Sequence, residues 1–354
     1  MTPRVRAVLG RRGFIAGAAA ALAARGSRPA AAQGPIPPGT LTIDMHSHAG
    51  RFTRPDRQFE PVAEPMRAGG MAVACLAIVA DAPTHRMSPE DHRLRPFRQP
   101  EPGELYAYSK AAFARLLQLA QQQGLTVIGN TAQLRAAPGA GPAIVVAAEG
   151  ADFLEGSLAR LDEARTQYGL RHLQLVHYRP NELGDIQTED PVHNGLTDFG
   201  VDVVRACNRL GIVVDVAHGT LDLVKRAAAA TSRPLILSHT SLVASPGRYS
   251  RQISPDHARV VAQTGGVIGV WPPLPIFPNL DAMAVGFARM AEIVGVDHVG
   301  LGSDMRGLPN GSALDNYRDL PRLAEALAGR GFSPADIAKV LGGNYARVFA
   351  ETVG

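Results

Sequence analysis

The chain has 354 residues, 45% of them hydrophobic and 5% aromatic, enough for one large domain with a real core. Its formal charge of +4 comes from 36 basic and 32 acidic residues, yet six arginines (Arg4, Arg6, Arg11, Arg12, Arg25 and Arg28) precede the first acid, Asp44. Beyond that stretch 30 basic residues face 32 acidic ones and no basic run interleaved with aromatics remains, which argues against nucleic-acid binding.

The chain starts with Arg11-Arg12-Gly13-Phe14-Ile15, an apolar stretch from Ala16 to Ala24, and the small-residue site Ala30-Ala31-Ala32. These read as the charged, apolar and cleavage regions of a twin-arginine-type export signal over residues 1–32, implying a periplasmic or secreted protein. The apolar stretch is too short to span a bilayer, and no later segment has the length of a transmembrane helix. Residues 33–40 are rich in Pro and Gly and read as a linker; residues 41–354 read as one folded domain.

Along that domain the apolar runs predict strands at Leu41–Met45, Ala72–Val79, Ala143–Ala148, His172–Val176, Ile212–Val216, Pro234–Leu237, Val267–Val270 and Val299–Leu301. Helical periodicity predicts helices at Glu104–Gln123, Leu154–Tyr168, Thr197–Leu210, Pro255–Gln263, Asp281–Val294, Tyr317–Ala328 and Ser333–Phe349. Val127-Ile128 suggests a short extra strand, and the proline-rich stretch from Asp81 to Gly103 a long loop. Near-continuous apolar strands are those of a parallel sheet covered on both faces. Eight of them alternating with helices predict an α/β fold, a single-domain (β/α)8 TIM barrel. A doubly wound open sheet is the alternative, but no Gly-rich phosphate loop follows the first strand. Cys75 and Cys207 fall in apolar periodic segments and read as buried core thiols, with a disulfide left open.

Candidate ligands recur where strands end. His46 and His48 are spaced i, i+2, so on a strand they point the same way and can grip one metal ion. Glu149, His218, His239 and Asp304 follow at the ends of later apolar runs. In a barrel these ends share one face. The donors are nitrogen and oxygen without sulfur, which suits zinc. One pair from the first strand and two single histidines from the fifth and sixth divide into two metal positions, with Glu149 able to bridge them. The three lysines (Lys110, Lys225 and Lys339) all lie in helical patterns, so none offers a bridge at a strand end. Two such ions can share a hydroxide and polarise a carbonyl. Asp304 is then the natural proton shuttle. His177 stands beside the site, suited to stabilise an oxyanion. Arg251 or Arg248 can hold a substrate carboxylate. Trp271 ends the seventh strand and can wall the pocket. His85, His92, His193 and His257 lie in loops or at helix starts, while His172 and His298 fall at strand beginnings and read as structural.

These pieces resemble the membrane dipeptidase (renal dipeptidase) family, peptidase family M19, within the metal-dependent amidohydrolase superfamily. The resemblance runs from about Leu41 to Phe349. It is carried by Asp44-Met45-His46-Ser47-His48, Ala148-Glu149-Gly150, Leu173 to His177, Asn208-Arg209-Leu210-Gly211, Asp215-Val216-Ala217-His218 and Ser238-His239-Thr240-Ser241. Arg251-Gln252-Ile253, Asp297 to Asp304 and Gly342 to Phe349 complete it. It implies a (β/α)8 barrel with a binuclear zinc site that hydrolyses dipeptides. His46 and His48 would bind one zinc, His218 and His239 the other, with Glu149 bridging. His177 and Arg251 would contact substrate, and Asp304 would be the acid/base. Two positions depart from the pattern: His48 stands where the family usually has aspartate, and Arg306 in Asp304-Met305-Arg306-Gly307 stands where an acid is usual, both bearing on substrate scope.

The expectation is thus an exported binuclear zinc dipeptidase acting on a dipeptide or similar small amide, with a homodimer left open. The alternative is another amidohydrolase on the same site: a lactonase, deacetylase or N-acyl amino acid hydrolase. A catalytically silent metal-binding protein is a third class, against which Asp304 argues, since metal binding alone needs no proton shuttle.

Overall fold

The computed structural model describes residues 36–54 and 56–354. The expected export leader, residues 1–32, and the start of the linker lie outside the described residues. Among the described residues, no helix is long and apolar enough to cross a membrane.

Eight parallel strands form the frame: β1 (Ile43–Ser47), β2 (Val73–Val79), β3 (Ala143–Glu149), β4 (Leu170–Gln174), β5 (Val213–Asp215), β6 (Ile236–Thr240), β7 (Val267–Val270) and β8 (Val299–Leu301). Each pairs in parallel with the next, in chain order. The ring closes just beyond β8, where Asp304 N donates to His46 O and His48 N donates to Met305 O, each at 2.9 Å. Asp44 seals this seam by accepting from Ser303 N and from the Tyr317 hydroxyl, each at 2.8 Å. The expected (β/α)8 TIM barrel is therefore the fold.

Side-chain alternation sorts the core into two shells. In β3, Ala143, Val145 and Ala147 join Ile43, Met45, Cys75, Val213 and Val267 in an inner cluster, while Ile144, Val146 and Ala148 face the surrounding helices. Glu149 continues the inward parity, so the strand's own pleat delivers its carboxylate to the barrel mouth. Tyr345, Val348 and Phe349 of the last helix belong to the inner cluster too. Cys75 and Cys207 are both free and buried.

Helices Glu104–Gln123 and Pro255–Gln263 fall where periodicity places them. Thr197 does not begin its helix but caps it, its side chain accepting from Gly200 N. The expected helix Leu154–Tyr168 is instead a 3-10 turn at Asp152–Leu154 and a helix at Ala159–Gln167. Gly156, with φ +78°, separates them. The expected helix Ser333–Phe349 breaks into Pro334–Ala338, a π-helical Lys339–Gly343 and Asn344–Val353. The break falls at Gly342, where a Cβ would lie 2.1 Å from Leu41 O, so β1's entry presses directly on the backbone. Three further helices, Ala63–Gly69, Thr131–Ala140 and Leu221–Ala230, complete the set. The expected loop between Asp81 and Gly103 contains a hairpin, His85–Met87 paired with Leu94–Pro96. The short extra strand is Thr126–Val127, beside β3.

Candidate metal centre

The barrel mouth collects the expected residues around one carboxylate. Five histidine Nε2 atoms approach Glu149: His46 at 3.4 Å, His218 at 3.3 Å and His239 at 3.6 Å face Oε1, while His48 and His177, both at 3.2 Å, face Oε2. The neighbouring nitrogens crowd one another, with His46 Nε2 to His48 Nε2 at 3.3 Å and His218 Nε2 to His239 Nε2 at 3.1 Å. Asp304 Oδ1 stands 3.5 Å from His48 Nε2. All seven residues are buried. Oε1 thus faces His46, His218 and His239, while His46 and His48 stay together as the sequence spacing suggested, their Nε2 atoms 3.3 Å apart.

The far side of three of the five rings is tied down. His48 Nδ1 meets Ala77 O at 2.8 Å, His239 Nδ1 meets Ser238 Oγ at 2.9 Å, and His177 Nδ1 meets Asp81 Oδ1 at 2.7 Å. Such outer partners fix ring orientation and leave Nε2 facing inward. Two of the site residues hold left-handed backbone, His218 with φ 66° and Asp304 with φ 46°. This conformation is costly away from glycine and marks sites where geometry is imposed for function. Gly307 makes room for Asp304: a Cβ there would lie 2.0 Å from Asp304 Oδ1.

This donor set fits a divalent metal. A hydrogen bond between two imidazole nitrogens needs a hydrogen on one and a lone pair on the other, and five such nitrogens around one carboxylate cannot all be satisfied by sharing protons. Burial holds His218 and His239 well below the usual imidazole range, with Arg251 and His46 respectively adding to it, so both keep lone pairs for a cation. Burial opposes ionisation of Glu149, but the imidazoles of His177 and His46 hold it well below the usual carboxylate range. His46, Glu149 and His239 form one group of close ligand atoms, His46, His48 and Asp304 a second, and Glu149, His177 and His218 a third. His177 is therefore as near the cluster as the expected ligands.

Asp304 differs from Glu149. Burial raises its carboxyl, opposed by His48 and helped by Glu149, to about 6. A carboxyl near neutrality suits proton transfer. Arg251 reaches the site from the loop after β6, which its own backbone pins: Thr240 Oγ1 donates to Arg251 O at 3.0 Å. Its Nη1 donates to Gln187 at 2.8 Å, while Nε and Nη2 are buried without a partner among the described residues. Trp271 lies beneath it, the guanidinium 5.2 Å from the ring centroid.

Two expected substrate contacts have carboxylate partners of their own. Arg248 lies at the exposed loop tip, ion-paired with Asp190 at 2.6 Å, and does not reach the metal cluster. Arg306 borders the site, its Nε donating to Glu60 and its Nη1 to Asp315, both at 2.9 Å. Three residues join the site that no role was expected for. Asp81 follows β2 and holds His177, His85 (Nδ1 at 3.2 Å) and Tyr178 N (2.9 Å). Its place just past a strand is the signal that marked Glu149. Tyr178 packs edge-on against His177 and His218, and burial pushes its hydroxyl up to about 12.

Two chambers meet here. The inner one, about 120 Å³, is bordered by His48, Glu149, His177, His218 and Arg306. The outer one, about 260 Å³, is bordered by Arg251, Trp271 and the hairpin. Leu94, Tyr178, Asp304 and Gly307 border both.

Fold and ligand cluster together define a metal-dependent hydrolase of the barrel type. More narrowly, the chain belongs to the membrane dipeptidase family, peptidase family M19, whose model matches residues 62–353. It is 32% identical to dipeptidase aclJ of Aspergillus oryzae over 195 residues, covering 52% of this chain and 46% of that protein. With dipeptidase 3 of Mus musculus it shares 29% identity over 222 residues, covering 59% and 44%. The matched region thus spans about half the length of these relatives. Among solved structures, the family M19 metallopeptidase dipeptidase AC superposes with TM-score 0.75 at 21% identity, covering 89% of this chain and 99% of that one. A metallopeptidase from Rhodobacter sphaeroides bound to a phosphinate mimic of L-Ala-D-Ala gives 0.74 at 21% identity, covering 88% and 99%. At that identity the likeness is one of fold.

Proposed function

We propose that this chain is a dipeptidase that uses two zinc ions, held by His46, His48, His218 and His239 and bridged by Glu149. The observation that carries the reading is the convergence of five histidine Nε2 atoms on the Glu149 carboxylate. When bound, such ions acidify a water to a pKa of about 7 and polarise the carbonyl under attack. The chain's own residues do the rest. Asp304 takes the proton of the attacking water and returns it to the leaving amine. Arg251 offers two unpaired N–H groups to the free carboxylate of a dipeptide. His177, its ring fixed by Asp81, faces the developing oxyanion, and burial around the cluster excludes bulk water. The leader motif Arg11-Arg12 with Ala30-Ala31-Ala32 supports export to the periplasm.

A second reading, hydrolysis of an N-acyl amino acid, is favoured by one feature: His48 stands where the family usually has aspartate, which leaves the site one negative charge short for a substrate with a free ammonium group. The test is metal content and turnover measured together. Two zinc ions per chain are expected, with cleavage of dipeptides. Asp304→Asn should lose about 10²- to 10⁴-fold in kcat while keeping its metal. Metal binding with cleavage of N-acyl amino acids alone would select the second reading, and a metal-free protein would overturn both.

A further inference from the structure

The two chambers differ in size and in character, and their shared wall fixes which end of a substrate enters each. Catalysis is confined to the inner chamber, because only there do Glu149 and the histidines border the space. Arg251 borders only the outer one, and its Nε and Nη2 are the buried cationic donors left without a partner there. The other guanidinium on that wall, Arg93, is committed elsewhere: Nη1 donates to Thr188 O at 3.1 Å, Nε to Asp91 at 2.8 Å, and its plane lies 4.3 Å from the Tyr249 ring centroid. A substrate carboxylate therefore docks at Arg251 with the scissile bond at Asp304, on the shared wall. That orientation sends the carboxylate-bearing residue into the outer chamber and its acyl partner into the inner one.

Beyond Arg251 the outer chamber is mostly apolar, with Arg93, His92, Thr188 and Asn310 as polar parts of its lining. Met87 and Leu94 of the hairpin form one side, and Pro273, Ile276, Leu308 and Pro309 the other. Among the described residues, no carboxylate other than Asp304 borders it. A charged side chain entering there would lose its hydration without a partner, whereas a bulky apolar one would fill about 260 Å³ and bury its surface. The inner chamber, at about 120 Å³ and shared with the catalytic groups, leaves little room for the acyl residue's side chain.

Resting on the dipeptidase reading above, we propose that the preferred substrates are dipeptides with a small first residue and a large apolar or aromatic second residue. The hairpin and the loop around Leu308 act as the selecting walls.

The experiment measures kcat/KM of the zinc-loaded chain on Gly-Phe, Gly-Leu, Gly-Asp, Gly-Lys and Phe-Gly. Gly-Phe and Gly-Leu are expected to exceed the other three by about tenfold or more, the range that one apolar pocket supplies. Met87→Lys and Ile276→Asp should each shrink the Gly-Phe preference over the dipeptide of opposite charge to the new side chain by about tenfold. Metal content and thermal midpoint would show that both variants are folded. Dipeptide cleavage with a flat or reversed order, or an order that neither variant moves, overturns the inference and leaves the dipeptidase reading standing. Failure to cleave any dipeptide overturns that reading, and the inference with it.

Discussion

Two buried histidine–carboxylate groups lie within the same barrel, and they differ in whether their hydrogen bonds are complete. Asp215, at the end of β5, meets His172 Nε2 at 3.0 Å and accepts from Ala217 N at 2.9 Å and Ser238 N at 3.0 Å. Every partner there has a place, and the group ties three strands together. Glu149 faces five nitrogens that it cannot satisfy. A complete network reads as structure, and an over-supplied one reads as a site that waits for a cation.

Changing the over-supplied carboxylate should have the largest effect. Glu149→Gln is expected to abolish activity and at least halve the metal bound per chain, with circular dichroism unchanged; full metal content in this variant would remove Glu149 from the ligand set. Next comes the carboxylate behind His177. Asp81→Asn should lower kcat about 10- to 100-fold with metal content retained, since it loosens the ring without removing it. An unchanged kcat would leave Asp81 a purely architectural residue. Asp215→Ala should do the converse. It strands His172 in the core, and a loss of about 3–5 kcal/mol is expected in denaturant melts, while metal content per folded chain holds. Loss of metal without loss of stability would contradict the division between the two groups.

A further expected effect is one of pH on stability, away from the Glu149 cluster. His257, at the start of helix Pro255–Gln263, is buried with Nε2 unpartnered, and burial lowers it to about 4 from 6.5. The unfolded chain therefore takes up this proton first as the pH falls. Stability is full above pH 6.5 and is lost as the pH falls from 6.5 to about 4, by about 3 kcal/mol in all. Melts of His257→Leu across that window should show a shallower slope, and an identical slope would rule His257 out as its source.

How much of this was legible in the sequence follows from what local patterning encodes. Strands such as Val267–Val270 and helices such as Glu104–Gln123 carry a full period of apolar residues and were readable at their ends. So were Glu149 and His239, because alternation along a strand dictates where a side chain points. The helix Thr131–Ala140 was not, since Pro138 and Gly139 mask it. Arg248 and Arg251 were indistinguishable three residues apart in one loop. What separates them is the hydrogen bond from Thr240 that pins only the second, a contact between loop and strand that no local period reports. Asp81 carried the strand-end signal of Glu149, but two of its partners, His177 and Tyr178, come from a distant segment.

The seam at Asp44, His46 and Ser303 also sets an order of events during biosynthesis. The histidine pair is made first, and Asp304 only after β2 to β8. Until β8 has emerged, β1 has an unpaired edge, open to pairing with other chains. The last strand then covers that edge and delivers Asp304 to the cluster through the same two backbone hydrogen bonds. The complete cluster is thus a mark of a closed barrel, and a chain stalled before Ser303 would lack both the proton carrier and the closed ring.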